Sequence, residues 1–156
     1  MKKHISIAIL FLVLMSVSGY YGCTDKTNKS VVQMNYGTSF GECVGYCKHD
    51  MSIKSDQITY TCSGWNSDVT TFSRYESLNS ELWDSLRTDF NLTGFFDLPT
   101  TIGCPDCADG GAEWVEIKLS NGQTHKVTFE YNSSPESVNA LVKKLRVKLV
   151  ANSCNQ

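Results

Sequence analysis

Apolar and polar residues alternate along much of the chain, with the period of two that marks half-buried strands. Val32, Met34 and Tyr36 alternate with polar neighbours, so residues 31–36 read as a strand. A glycine- and cysteine-bearing loop, Gly37 to Tyr46, follows it. His49, Met51 and Ile53 then alternate with Asp50, Ser52 and Lys54, and Ile58, Tyr60 and Cys62 alternate with Thr59 and Thr61. A turn at Ser55-Asp56 pairs Ile53 with Ile58, Met51 with Tyr60 and His49 with Cys62, keeping one face apolar; Ser-Asp is a poor two-residue turn, and a four-residue loop of the same parity is the alternative. Val69 to Tyr75 reads as a fourth strand. Farther on, Val115, Ile117 and Leu119 answer His125, Val127, Phe129 and Tyr131. A two-residue turn at Asn121-Gly122 would mix their faces. A three-residue loop, Ser120-Asn121-Gly122, pairs Ile117 with His125 and Val115 with Val127, with Gly122 left-handed.

Two stretches switch to helical periodicity. Asn79 is a good N-cap, Glu81 sits in the positive first turn, and Leu78 with Trp83 makes a hydrophobic staple. Leu82, Leu86 and Phe90 carry the apolar stripe onward. The second helix has Ser134 as cap and Pro135 as its first residue. Val138, Leu141, Val142, Leu145 and Leu149 form its buried face. Lys143, Lys144, Arg146 and Lys148 read as a solvated face that suits the helix dipole. The order β-β-β-β-α-β-β-α predicts an α+β domain: an antiparallel sheet of five to six strands packed by two helices.

The N-terminal end departs from this patterning. Met1 to His4 is basic, Ile5 to Val17 is apolar but for Ser6 and Ser16, and small residues lead to Gly22 and Cys23. The order is that of an export signal, and the apolar run is too short to span a bilayer, which takes about 20 residues. A cysteine directly after Gly22 resembles the lipid-attachment site of bacterial lipoproteins. That resemblance implies acyl chains on Cys23 and a membrane anchor without a transmembrane helix. Tyr20 stands where such sites usually carry an aliphatic residue. Cleavage after Gly19, giving a secreted or periplasmic protein, is the competing reading. The expected organisation is a signal peptide over 1–22, a lipidated cysteine and polar tether over 23–30, and one domain over 31–156. Inner and outer membrane are not distinguished.

Composition narrows the function classes. Without Lys2 and Lys3 the chain carries 12 basic against 16 acidic residues, a formal charge of −4. That offers no basic stripe for nucleic acid. Of seven cysteines, six remain beside Cys23: Cys43, Cys47, Cys62, Cys104, Cys107 and Cys154. An even set suits an oxidising compartment.

Phe40-Gly41-Glu42-Cys43 precedes a hairpin, Phe95-Phe96-Asp97-Leu98-Pro99 follows a helix, and an Asn-Gly hairpin leads to a Pro-started helix. Over roughly residues 31 to 150 this resembles a family of uncharacterised small exported bacterial domains. Val44 stands where that family usually has proline, and Cys47 is additional. The resemblance implies an envelope address and an α+β order; it brings no catalytic residues.

Three chemistries compete for the cysteines. Structural disulfides could form in fifteen connectivities, with Cys43–Cys47, Cys104–Cys107 and Cys62–Cys154 among the options. A zinc site could use Cys43, Cys47, Cys104 and Cys107, whose spacings suit thiolate ligation. Cys104-Pro105-Asp106-Cys107 also looks like the redox motif of thioredoxin-like proteins, although the glycines after it oppose the helix that chemistry uses. Gly37-Thr38-Ser39-Phe40-Gly41 fits a nucleophile elbow but lacks a following helix, and His125 is the only late histidine to partner Ser39. Asp106, Asp109 and Glu113 could ligate calcium, without the EF-hand order. His49 facing Cys62 reads as a buried histidine with a backbone partner. The expectation is a non-enzymatic, lipid-anchored envelope module. It would meet the membrane through Cys23 and an unknown envelope protein or ligand through loops 37–47 and 103–113. A zinc-binding or thiol-redox protein is the alternative.

Overall fold

A computed structural model describes residues 29–154; the signal segment, Cys23 and most of the tether lie outside the described residues. The chain is α+β, and its sheet has seven strands among the described residues rather than five or six. The strands are β1 (Val31–Ser39), β2 (Lys48–Ile53), β3 (Gln57–Ser63), β4 (Phe72–Ser77), β5 (Thr101–Ile102), β6 (Ala112–Leu119) and β7 (Thr124–Glu130). The helices are α1 (Ser80–Thr88), α2 (Leu92–Phe96) and α3 (Asn139–Ala151). The spatial order is β4-β3-β2-β1-β6-β7-β5. Every pair is antiparallel except β5 with β7, which is parallel and departs from the all-antiparallel expectation.

Both hairpin registers are the ones that keep apolar faces together. Ile53 pairs with Ile58, Met51 with Tyr60 and His49 with Cys62, and the Lys54 amide donates to the Gln57 carbonyl at 2.9 Å to close the Ser55-Asp56 turn. Val115 pairs with Val127 and Ile117 with His125, around a loop in which Gly122 has φ +86°.

Four boundaries differ. β1 runs on through Gly37 and Thr38 to Ser39, because β2 and β6 flank it and continue its ladder. β4 begins at Phe72 rather than Val69, whose amide is held in a turn by the Asn66 carbonyl at 3.5 Å. α1 is capped by the Asn79 side chain on the Leu82 amide, as expected, but ends at Thr88. A second cap, Asn91 on the Gly94 amide, starts α2. Pro135 has ψ 148°, outside the helical range, so it does not open α3. A 3-10 turn over Glu136–Val138 leads in instead, and the Ser134 hydroxyl bonds the Asn139 side chain at 3.1 Å.

All three helices lie against one face of the sheet. Met34, Tyr36, Ile53, Ile58, Ile117 and Phe129 from the strands share one core with Trp83, Leu86, Phe95, Leu141, Val142 and Leu145 from the helices. The other face is polar: Gln33 donates to Asn35 and Ser52, and Asn35 donates to Glu116 at 2.6 Å. At its centre the indole of Trp114 lies over Gly37. A Cβ there would stand 2.6 Å from Trp114 Cε2 and 2.8 Å from Asp50 Oδ1, so glycine makes the close approach possible.

Candidate functional site

The end of the sheet where β1 stops gathers most of the cysteine chemistry. Ser39 there pairs with Lys48 and with Ala112, and Lys48 pairs with Ser63. The loop that follows turns on itself: the Phe40 amide donates to the Cys47 carbonyl at 3.1 Å, and a Cys43–Cys47 disulfide (Cα–Cα 5.5 Å) closes it. Cys47 is buried while Val44 at the tip is fully exposed. The Trp65 indole N–H donates to the Phe40 carbonyl at 2.7 Å, and the Lys48 ammonium sits 3.8 Å from the Trp65 ring.

The second loop docks beside the first. The Gly41 amide donates to Asp106 Oδ1 at 3.1 Å, and the Cys104 amide donates to Glu130 at 2.8 Å. Phe40 packs edge-on against Tyr131 with centroids 5.1 Å apart. Cys104 and Cys107 form their own disulfide (Cα–Cα 5.5 Å) at the surface. Asp106, Ala108 and Asp109 take left-handed backbone conformations there, an uncommon set for non-glycine residues. A third disulfide, Cys62–Cys154 (Cα–Cα 6.2 Å), ties the segment after α3 to β3. The two loops expected to carry contacts are therefore neighbours, with the first beginning at Phe40 rather than Gly37.

Each cysteine pair closes on itself, so Cys43, Cys47, Cys104 and Cys107 do not assemble the four-thiolate zinc site. Among the described residues no group of three His, Cys, Asp or Glu is placed to hold a metal. Ser39 is a strand residue with no helix after it. His125 pairs with Ile117, five residues along β6 from Ala112 beside Ser39, or about 17 Å of strand. Its Nε2 lies 3.0 Å from the Leu98 carbonyl and its ring packs on Phe95 and Phe96, so it does not partner Ser39. His49 does face Cys62, with Nδ1 3.4 Å from Sγ, and its Nε2 meets the Tyr46 carbonyl at 3.0 Å. The calcium trio is dispersed: Asp106 braces Gly41, and Glu113 is fully buried.

Glu113 is the centre of the site. Arg146 Nε donates to its Oε1 at 2.9 Å and Nη2 to its Oε2 at 2.7 Å, a bidentate pair. The Tyr36 hydroxyl donates to Oε1, and the Asn132 amide donates to Oε2 at 3.2 Å. Four donors thus replace the water that burial removed, the condition under which a buried ion pair is tolerated. Burial, and then donation to Glu113, push the Tyr36 phenol far above its ordinary value, so it stays a neutral donor. The hydrogen bonds to Glu113 likewise raise Arg146 and keep it charged.

The solvated basic face expected of α3 is thus only partial. Arg146 and Lys148 turn toward the sheet, Lys148 reaching Glu76 at 2.9 Å, and Lys144 pairs with Asp89 at 2.6 Å. Lys143 alone of the four is exposed without such a pair among the described residues.

Above this ion pair is a cavity of about 160 Å³. Phe40, Tyr131, Leu149 and Val150 form its apolar walls. Thr38, His49, Arg146 and Ser153 supply its polar groups. Thr38 is 6% exposed.

No protein-family model matches the chain, and no curated protein matches it.

Proposed function

We propose that the chain is a lipid-anchored bacterial envelope protein that acts as a non-enzymatic binding module. Lipid on Cys23 holds it to the membrane, and the disulfide-stapled end makes the contact. The observation that carries this reading is the polarity of the fold. The Ser30 amide donates to the Ser120 hydroxyl at 3.2 Å, and Val31 pairs with Leu119, so the chain joins the sheet at the β6–β7 hairpin. The three disulfides, the paired loops and the cavity sit at the opposite end of β1, nine residues away, or roughly 25–30 Å. Residues 23–30, even fully extended, reach only about 30 Å. A lipid at Cys23 then attaches the domain from its hairpin end, with the stapled end at the far end of β1 left clear of the attachment point. The resemblance to small exported bacterial domains supports the same address, and the disulfides suit an oxidising compartment.

The test is the intact mass of protein taken from bacterial membranes and alkylated without reduction. The expected species has acyl chains on Cys23 and no alkylated cysteine. Cys23→Ser should leave the membrane fraction with its melting temperature unchanged. An unacylated Cys23 in the membrane-derived protein would overturn the anchor.

A further inference from the structure

We infer that the cavity over Arg146 is a binding site for a small organic carboxylate with an apolar body. This rests on the reading that the stapled end is the binding end, and it names the ligand class. A guanidinium presents more than one donor edge, each matched to the two oxygens of a carboxylate. The Nε–Nη2 edge of Arg146 is committed to Glu113. Tyr36 also reaches the guanidinium and the Tyr131 ring lies 5.8 Å from its carbon, while the Nη1 group donates to no carboxylate among the described residues. Glu113 is wholly buried while the Arg146 side chain is 22% exposed and lines the cavity, so the open part of the fork is the part away from Glu113. The pair thus works as a socket: Glu113 fixes the guanidinium plane, and the remaining edge is preorganised for a second acceptor.

A second polar group points the same way. Thr38, 6% exposed, lines the same cavity, and its hydroxyl makes no hydrogen bond among the described residues. One carboxylate can accept from both groups.

The walls set the rest of the ligand. Phe40, Tyr131, Leu149 and Val150 form the apolar side of a partly open cavity of about 160 Å³, and a cavity of about 150 Å³ is known to take a benzene ring. The body that fits is one ring or one branched aliphatic side chain. Because Glu113 already balances the charge of Arg146, affinity comes from donor geometry and burial, which places it in a modest range. The carboxylate could belong to a free acid or to the end of a peptide chain.

The experiment titrates the full chain, disulfides formed, with benzoate and with its neutral isostere benzamide, following the Arg146 Nε–H and Thr38 amide resonances. Benzoate should bind saturably, and benzamide at least about tenfold more weakly, because it lacks the charged acceptor. Thr38→Val should weaken benzoate several-fold while the melting temperature holds or rises, because its hydroxyl has no partner to lose. Arg146→Lys should weaken it too, but this variant also disturbs Glu113; Thr38→Val keeps the test free of that. A tetrapeptide ending in a leucine carboxylate, set against its amide, separates the sources: tighter binding than benzoate assigns a chain end, weaker binding a free acid. Equal binding of benzamide, indifference to Thr38→Val, or no saturation by about 10 mM benzoate would overturn the inference. If benzoate fails while Cys23 is acylated, the ligand class falls and the anchored module stands. If benzoate binds while Cys23 is unmodified, the reverse holds.

Discussion

Asp50 shows how one residue's surroundings set a cost that its neighbours only partly offset. It sits on the polar face against the Trp114 indole and Gly37. Burial raises its carboxyl above the ordinary value, although Lys126, Lys48 and His49 pull the other way. A raised folded value means that the native protein holds this proton more tightly than the unfolded chain. Stability from this group is greatest in acid and falls as pH climbs from about 3.9, the unfolded value, through the raised folded one. At neutral pH the ionised Asp50 is therefore a net cost. Asp50→Asn should raise the melting temperature at pH 7, and the gain should vanish near pH 3. A lower melting temperature at pH 7 would mean that the lysines outweigh burial. Residue-level legibility was mixed in the same way. Glu113 keeps step with Val115, Ile117 and Leu119, and Arg146 lies four residues from Val142 and three from Leu149. Both phases place a charge on a core face, and the two charges are complementary. That signal was available, but proximity to Asp106 and Asp109 suggested a loop carboxylate, and the lysines around Arg146 suggested a solvated stripe.

Elements whose faces are set by local alternation were legible; those that depend on distant neighbours were not. Both hairpins follow from keeping apolar faces together, and the β6–β7 loop takes three residues although Asn121-Gly122 invites two. β5 is only two residues long and exists because Thr101 and Ile102 meet Thr128 and Phe129, a pairing that no local pattern announces. The break between α1 and α2 was hidden because Phe90 continues the spacing of Leu82 and Leu86, while Asn91 signals a new cap. The three-residue loop makes a clean prediction. Gly122 has φ +86°, and nothing lies within 4 Å of where its Cβ would be. Gly122→Ala therefore meets no clash and costs only the left-handed backbone, about 1–2 kcal/mol. Denaturant unfolding should show a lower midpoint at an unchanged slope. A far larger loss, or a changed slope, would mean that the loop takes a different register.

At the scale of the molecule, three disulfides of equal chemistry have unequal consequences. An even cysteine set and the possibility of joining Cys62 to Cys154 could be read from the chain. Their convergence at one sheet end could not, because it follows from a register that spans β3, β2, β1 and β6. Cys62–Cys154 closes a sequence separation of 92, against 4 for Cys43–Cys47 and 3 for Cys104–Cys107. In the chain-entropy account the long closure stabilises by about 4–5 kcal/mol and each short one by about 2. The larger figure rivals the whole stability of a marginal domain, about 5–15 kcal/mol. It also holds the segment after α3 against β3, at the edge of the cavity that Val150 and Ser153 line. Paired alanine substitution of Cys62 and Cys154 should therefore cost the most melting temperature and open the cavity. The same change at Cys104 and Cys107 should cost much less, because Asp106 on Gly41 and Glu130 on the Cys104 amide still hold that loop. Thermal unfolding of the three double variants orders them directly. Equal losses at all three pairs would show that the short staples carry the end of the sheet as much as the long one does.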